Sequence, residues 1–181
     1  KLDYQLEKKS HLLYLQIQHF QMSKQLSPLL TEQAVGLTNT WHKTIPLSQF
    51  MGIEIAANSP ESLVTVCGVN QNKNLHNTMF AGSISTLAIL TGWGWCFLSM
   101  KAENVDGDIV LADGQTKYYK PVTGSAFGMV NIEALEQSTD FTPLQKGQKV
   151  RVLVSVDIVC GDLLAASFKG KYVILPPKNK D

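Results

Sequence analysis

From residue 80 to residue 100 the chain carries no Asp, Glu, Lys or Arg. A run this long and uncharged has two ways to leave water: it crosses a bilayer, or it becomes a helix enclosed by its own protein. The residues favour enclosure. Ser83, Ser85, Thr86, Thr91 and Ser99, with Gly82, Gly92 and Gly94, dilute the apolar run, and the segments after it alternate as strands of a half-buried sheet do. Ala81, Ser85, Ala88 and Gly92 recur at helical spacing, so one stripe lacks bulk and predicts close approach to a sheet. Ile84, Leu87, Ile89, Leu90, Phe97 and Leu98 then fill the core around the helix.

The flanking segments supply that sheet. Residues 52–58 and 63–69 read as a hairpin across Ser59-Pro60-Glu61, and strands are expected at 108–119, 126–135, 149–160 and 163–175. The 149–160 segment is the clearest, with Val150, Val152, Val154, Val156 and Ile158 on one side and Lys149, Arg151, Ser155 and Asp157 on the other. Cys160-Gly161-Asp162 makes a tight turn into the last strand. Upstream, residues 36–51 begin as a helix with Thr38 as N-cap and Trp41 as apolar anchor, and Pro46 ends it or starts a second turn. The order helix, two strands, long helix, four strands is α+β: an antiparallel sheet wraps a helix that is apolar nearly all round.

Sixteen Lys+Arg against fifteen Asp+Glu leave a net charge of +1, so nothing in the charge favours nucleic acid or an anionic membrane, and a small molecule or a second copy is the expected partner. Cys67, Cys96 and Cys160 are odd in number and set singly in apolar runs, which predicts buried thiols in a reducing, cytoplasmic compartment and no metal site. The opening residues KLDYQLEKKS are charged where a signal peptide needs an apolar core, so secretion is not expected. Residues 1–35 differ from the rest. LYLQIQHFQM (13–22) fits a strand or a short amphipathic helix, and Ser27-Pro28 breaks whatever precedes it.

NTMFAGS at the mouth of the central helix, then LTGWG, GDIVLAD and YYKPVTG, stand in one order over about residues 38–175. Together they resemble the hotdog-fold thioesterase-like domain that bacteria often carry C-terminal to an acetyltransferase domain. QHFQMSKQL (18–26) resembles the closing strand of GNAT acetyltransferases, so residues 1–35 are an N-terminal arm or the tail of such a domain, and 36–181 the hotdog domain. The resemblance implies hydrolysis of an acyl-CoA or acyl-carrier thioester, with the coenzyme A moiety part of the substrate and no separate cofactor. It further implies a homodimer or a dimer of dimers, because hotdog sheets pair edge to edge.

Thioester hydrolysis needs a polarised carbonyl and an aimed, deprotonated water. A helix start offers unpaired N–H groups where an oxyanion develops. Gly82 is the expected oxyanion donor, though it would serve equally to pack helix on sheet, and Phe80, Ala81, Ser83 and Thr86 are the expected substrate contacts. Many hotdog thioesterases hold an Asp or Glu two turns inside this helix; the matching position here is Ile89, between Ala88 and Leu90. Water must therefore be handled elsewhere. Asp113, in the apolar strand IVLAD, is a base if it points inward and is desolvated, or a solvated residue of an Asp113-Gly114 bend. Asn77 can hold a water or the thioester, or merely make a turn; His76 is a proton carrier or an exposed loop residue. Trp93 and Trp95 are either an acyl tunnel or core and subunit contacts. Lys73, Lys117 and Lys120 meet coenzyme A phosphates or only water. Two other functions fit the same fold: a hydroxyacyl-thioester dehydratase using His76, and a non-catalytic thioester-binding or regulatory module.

Overall fold

The computed structural model describes residues 32–59, 62–130 and 140–177. The acetyltransferase-like piece, the break at Pro28 and the part of the expected 126–135 strand beyond Val130 lie outside the described residues.

Helix α1 occupies Glu32–Thr44 and buries Ala34, Leu37 and Trp41, one face at helical spacing. Thr38 is inside this helix, its hydroxyl donating back to the Ala34 carbonyl at 3.5 Å, and is not an N-cap. The buried stripe starts before Gly36, so the helix runs through that glycine although Gly costs about 1 kcal/mol against Ala. Pro46 does start a second helix: α2 spans Pro46–Met51, with the proline in its first turn, and stops on Gly52 at φ 64°. His42 Nε2 donates to the Ile53 carbonyl at 2.7 Å, tying α1 to the first strand.

Strands β1 (Glu54–Ser59), β2 (Ser62–Cys67), β3 (Asp108–Tyr118), β4 (Ala126–Val130), β5 (Val150–Cys160) and β6 (Leu163–Leu175) form one antiparallel sheet in the order β1-β2-β4-β5-β6-β3. Helix α3, Ala81–Ala102, lies on one face and packs against β2 through β6 and α1. By length and composition alone it is apolar enough to cross a membrane; half of its most apolar window is buried inside the domain. This is the α+β hotdog architecture that the motifs imply. The short helix α4, Thr142–Gln145, was not legible in the sequence.

The alternation expected along the core side of β5 holds, and β6 alternates from Ala166 onward, whereas Leu164, expected on the same side, falls on the other face because the register breaks at Ala165. Val150, Val152, Val154, Val156 and Ile158 of β5 and Phe168, Tyr172 and Ile174 of β6 join Ile84, Leu87, Leu90 and Met100 of α3 in the main core. The other sheet face carries a smaller cluster of Val64, Met129, Val159 and Leu164. Glycines set the close approaches: a Cβ on Gly92 would come within 2.5 Å of the Tyr172 hydroxyl, and one on Gly94 within 2.7 Å of the Trp41 ring. Trp95 is buried in the core and the half-buried Trp93 packs against it, stacking on Phe97 and donating Nε1–H to the Ile109 carbonyl at 3.1 Å.

Register breaks at β1, β3 and β6, and each time the spare residue is an alanine. Ala56 lies between the paired Ile55 and Ala57, Ala112 between Leu111 and Asp113, and Ala165 between Leu164 and Ala166. These are β-bulges. The Ala165 carbonyl, freed from its own ladder, accepts the N–H groups of Tyr119 (2.8 Å) and Lys120 (3.1 Å) and so carries the β3–β6 join past the strand end.

Candidate active site

The chain reaches α3 through a loop tied down by two asparagines. Asn72 is buried; its Nδ2 donates to the carbonyls of Met51 (3.0 Å) and Gly68 (2.8 Å), while its own carbonyl accepts the Phe80 N–H at 2.7 Å. Asn74 Oδ1 accepts from the His76 N–H at 2.8 Å and the Thr78 N–H at 3.3 Å, the side-chain-to-backbone pattern that makes asparagine a turn former. His76 and Asn77 occupy the exposed tip, and Asn77 sits at φ 58°, a left-handed conformation that Asn tolerates. So Asn77 does make the turn. Its side chain and that of His76 are exposed, without a hydrogen-bond partner among the described residues.

Phe80 precedes the helix in an extended conformation and provides no side-chain cap, and the Ile84 N–H takes its carbonyl at 3.1 Å. Among the described residues, the N–H groups of Ala81, Gly82 and Ser83 have no acceptor. They are the free donors of a helix start, backed by the dipole of a 22-residue helix, and Ala81 is exposed with Gly82 and Ser83 half-buried. Such a place stabilises developing negative charge. Gly82 has a second reason to be glycine: a Cβ would lie 2.3 Å from Phe80 Cε1, so the ring, 56% exposed, rests on the Gly82 α-carbon and borders the donors.

A chain of hydroxyls reaches this mouth from β3. Tyr118 Oη donates to the Ala81 carbonyl at 3.1 Å, Ser85 Oγ is 2.6 Å from Tyr118 Oη, and Thr116 Oγ1 is 3.0 Å from Ser85 Oγ. A phenol has one proton, and the Ala81 carbonyl takes it. Ser85 therefore donates to Tyr118 and accepts from Thr116. The Thr86 hydroxyl, expected to meet substrate, donates to the Gly82 carbonyl at 2.9 Å; Ser83 Oγ has no partner among the described residues. Tyr118, Ser85 and Thr116 were not among the residues expected at the site. The signal was there: Thr116 and Tyr118 are two apart on a strand and Ala81 and Ser85 one turn apart on a helix, so each pair shares a face.

Asp113 does not point inward. It pairs with exposed Lys171, whereas Gly114 pairs with Gly170 and Thr116 with Phe168 on the helix side. Strict alternation from Ile109 and Leu111 would have turned Asp113 toward the helix, but the bulge at Ala112 uses one residue without a partner and reverses the parity. The carboxylate is exposed on the face away from α3. Along β3 it stands five residues before Tyr118, roughly 16 Å at about 3.3 Å per residue. Lys73, Lys117 and Lys120 are exposed. At the usual acid position, Ile89 packs half-buried against the core, and its carbonyl accepts Tyr172 Oη–H at 2.8 Å. Among the described residues, no three His, Cys, Asp or Glu stand together as metal ligands would.

Residues 34–176 match the family model described as "Putative thioesterase (yiiD_Cterm)". The crystal structure of a thioesterase so described from Shewanella oneidensis is 42% identical, with a TM-score of 0.76 over 81% of this chain and all of that one. A protein of unknown function from Chlorobaculum tepidum aligns at 24% identity and TM-score 0.71, over 80% of this chain and 94% of its own. The Escherichia coli PaaI protein of the phenylacetic acid degradation operon aligns at 15% identity and TM-score 0.60, over 81% and 96%. The last two show a shared fold alone.

Proposed function

The chain belongs to the yiiD_Cterm thioesterase family, and on that premise we propose that it hydrolyses an acyl thioester of coenzyme A or of an acyl-carrier protein at the mouth of α3. The observation that carries this reading is the set of N–H groups on Ala81, Gly82 and Ser83, without an acceptor among the described residues, at the start of α3. The thioester carbonyl oxygen seats on these donors, bordered by the Phe80 ring. Water attacks the carbonyl carbon and gives a proton to His76, with Asn77 holding the water; both side chains hang free next to the donors in sequence. The tetrahedral oxyanion collapses, the carbon–sulfur bond breaks, and the departing thiolate takes a proton, leaving a carboxylic acid and a free thiol. Asp113 has no part in this scheme, since it lies on the wrong side of its strand.

β3 ends the sheet order, so among the described residues one side of this 11-residue strand pairs with no other strand. Such an edge invites pairing with a second copy. A homodimer joined there brings a second α3 mouth beside the first. Light scattering is expected to give at least twice the 20.0 kDa chain mass.

The direct test measures thiol release from short, medium and aromatic acyl-CoAs. Turnover is expected with at least one, with a drop of about 10²- to 10⁴-fold in His76→Ala, the usual weight of general-base catalysis. No release above buffer from any of them overturns the hydrolase. Ile89, in place of an acid, favours a second reading, a non-catalytic acyl-thioester-binding module. A rise in melting temperature with coenzyme A, together with zero hydrolysis, would support that reading.

A further inference from the structure

A peptide unit has two ends, and at the mouth of α3 both ends of two successive units are accounted for. The Ala81 carbonyl and the Gly82 N–H belong to one amide; the Gly82 carbonyl and the Ser83 N–H belong to the next. Each N–H is free among the described residues. Each carbonyl, in addition to its place in the helix, accepts a side-chain hydroxyl: Tyr118 Oη–H at 3.1 Å on Ala81, and Thr86 Oγ1–H at 2.9 Å on Gly82.

Hydrogen bonds on opposite ends of an amide strengthen each other. A donor at the oxygen draws electron density through the conjugated C–N bond and leaves the N–H more positive. We infer that Tyr118 and Thr86 are positioning residues for the oxyanion site, each acting through one peptide unit to sharpen and orient a free N–H: Tyr118 on that of Gly82, Thr86 on that of Ser83. The inference rests on the thioesterase reading for its kinetic consequence, but not for its electronic one.

The neighbours of these hydroxyls support the assignment. Tyr118 is itself held by Ser85, which is held by Thr116, so the phenol proton is committed to Ala81 by a relay anchored on both α3 and β3. Cooperative chains of this kind gain about 10–30% per added bond. Tyr118 is 49% exposed, so its hydroxyl contributes little to the core and its loss is not expected to unfold the domain. Thr86 is half-buried, and its usual explanation, a hydroxyl satisfying itself against the preceding turn, predicts no effect on any N–H.

The test pairs amide NMR with kinetics on the full chain. In Tyr118→Phe the Gly82 amide proton is expected to move upfield while that of Ser83 holds; in Thr86→Val the Ser83 proton moves and that of Gly82 holds; Thr86→Ser, which keeps the hydroxyl, restores the wild-type shift. Where the wild type turns over an acyl-CoA, Tyr118→Phe and Thr86→Val each lower kcat about three- to tenfold with KM unchanged, less than the 10²- to 10³-fold cost of deleting an oxyanion donor outright. Thr86→Ser recovers the rate. Amide shifts that ignore both substitutions overturn the inference whatever the activity, and so do unchanged kcat values in an active enzyme. If the wild type releases no thiol, the hydrolase reading fails, and the NMR arm still decides the coupling.

Discussion

Replacing Gly94 with alanine sets two effects of known sign against each other. Gly94 lies in the interior of α3, where alanine is better than glycine by about 1 kcal/mol in helix propensity. Against this, the new Cβ would lie 2.7 and 2.8 Å from Trp41 Cζ2 and Cη2 and 2.9 Å from Leu63 Cδ2. Carbon atoms want about 3.5–4.0 Å. Trp41 and Leu63 are each 0% exposed, so neither has space to retreat into. Overpacking of a filled core costs about 1–3 kcal/mol, and two immobile side chains struck together put this site in the upper part of that range. The net expectation is a loss of about 1–2 kcal/mol, or a melting temperature lower by roughly 2–8 °C for a chain of this length. Gly36 supplies the control. It is also inside a helix, is exposed, and has nothing among the described residues within 4 Å of its would-be Cβ, so Gly36→Ala is expected to gain about 1 kcal/mol and melt about 2–4 °C higher. Far-UV circular dichroism melts of wild type and both variants in one buffer make the comparison. A Gly94→Ala protein that melts at or above wild type refutes the packing argument, and a Gly36→Ala protein that does not gain refutes the propensity term.

Asn72→Ala removes the side-chain donor to the Gly68 carbonyl and one of two donors to that of Met51, and is expected to lower stability by about 1–3 kcal/mol, read as a shifted urea midpoint at constant m-value; an unmoved midpoint would contradict it. Burial pushes the Cys67 thiol up to about 11 from 9.0 and shifts Cys96 and the Tyr172 phenol in the same direction. The unfolded chain thus loses these protons first, so stability intact below about pH 9 is expected to fall as the pH climbs toward 11, and denaturant titrations flat across that window would count against it. The half-buried Cys160 is expected to react first with a thiol reagent at neutral pH, with Cys67 and Cys96 modified only on unfolding; mass-mapped labelling checks the order.

Most of the architecture was legible because it rests on periodicity. A helix long and uncharged enough to need enclosing, and strands alternating strictly enough to enclose it, leave few arrangements. The bounds of β3, β5 and β6 fall within a residue of those expected. Thr38 was misplaced for a local reason: a threonine two residues past a glycine reads as a cap, and only the burial of Ala34 one turn earlier shows that the helix is already under way. Gly82 was legible as part of the helix mouth, but the Phe80 ring seated on it was not, since nothing in the spacing of residues gives a ring's direction. Asp113 shows the clearest limit. Counting by twos along IVLAD gives the wrong face, because a bulge carries no marker other than its alanine. Tyr118 opens the motif YYKPVTG, and the spacing along a strand gives its face but not the carbonyl its phenol reaches.

The three unpaired alanines have a consequence for how the sheet tolerates change. In an ordinary strand the loss of one residue turns everything beyond it inside out. Here Leu111 and Asp113 already face consecutive residues of β6, so excising Ala112 would join two neighbours that behave as adjacent and leave Thr116 and Tyr118 where they are. The same holds for Ala56, but not for Ala165, whose carbonyl holds the Tyr119 and Lys120 N–H groups. Slack is stored at two known links, and a one-residue shortening at or beside either is absorbed, whereas a cut in a strand without a spare residue reverses every face beyond it.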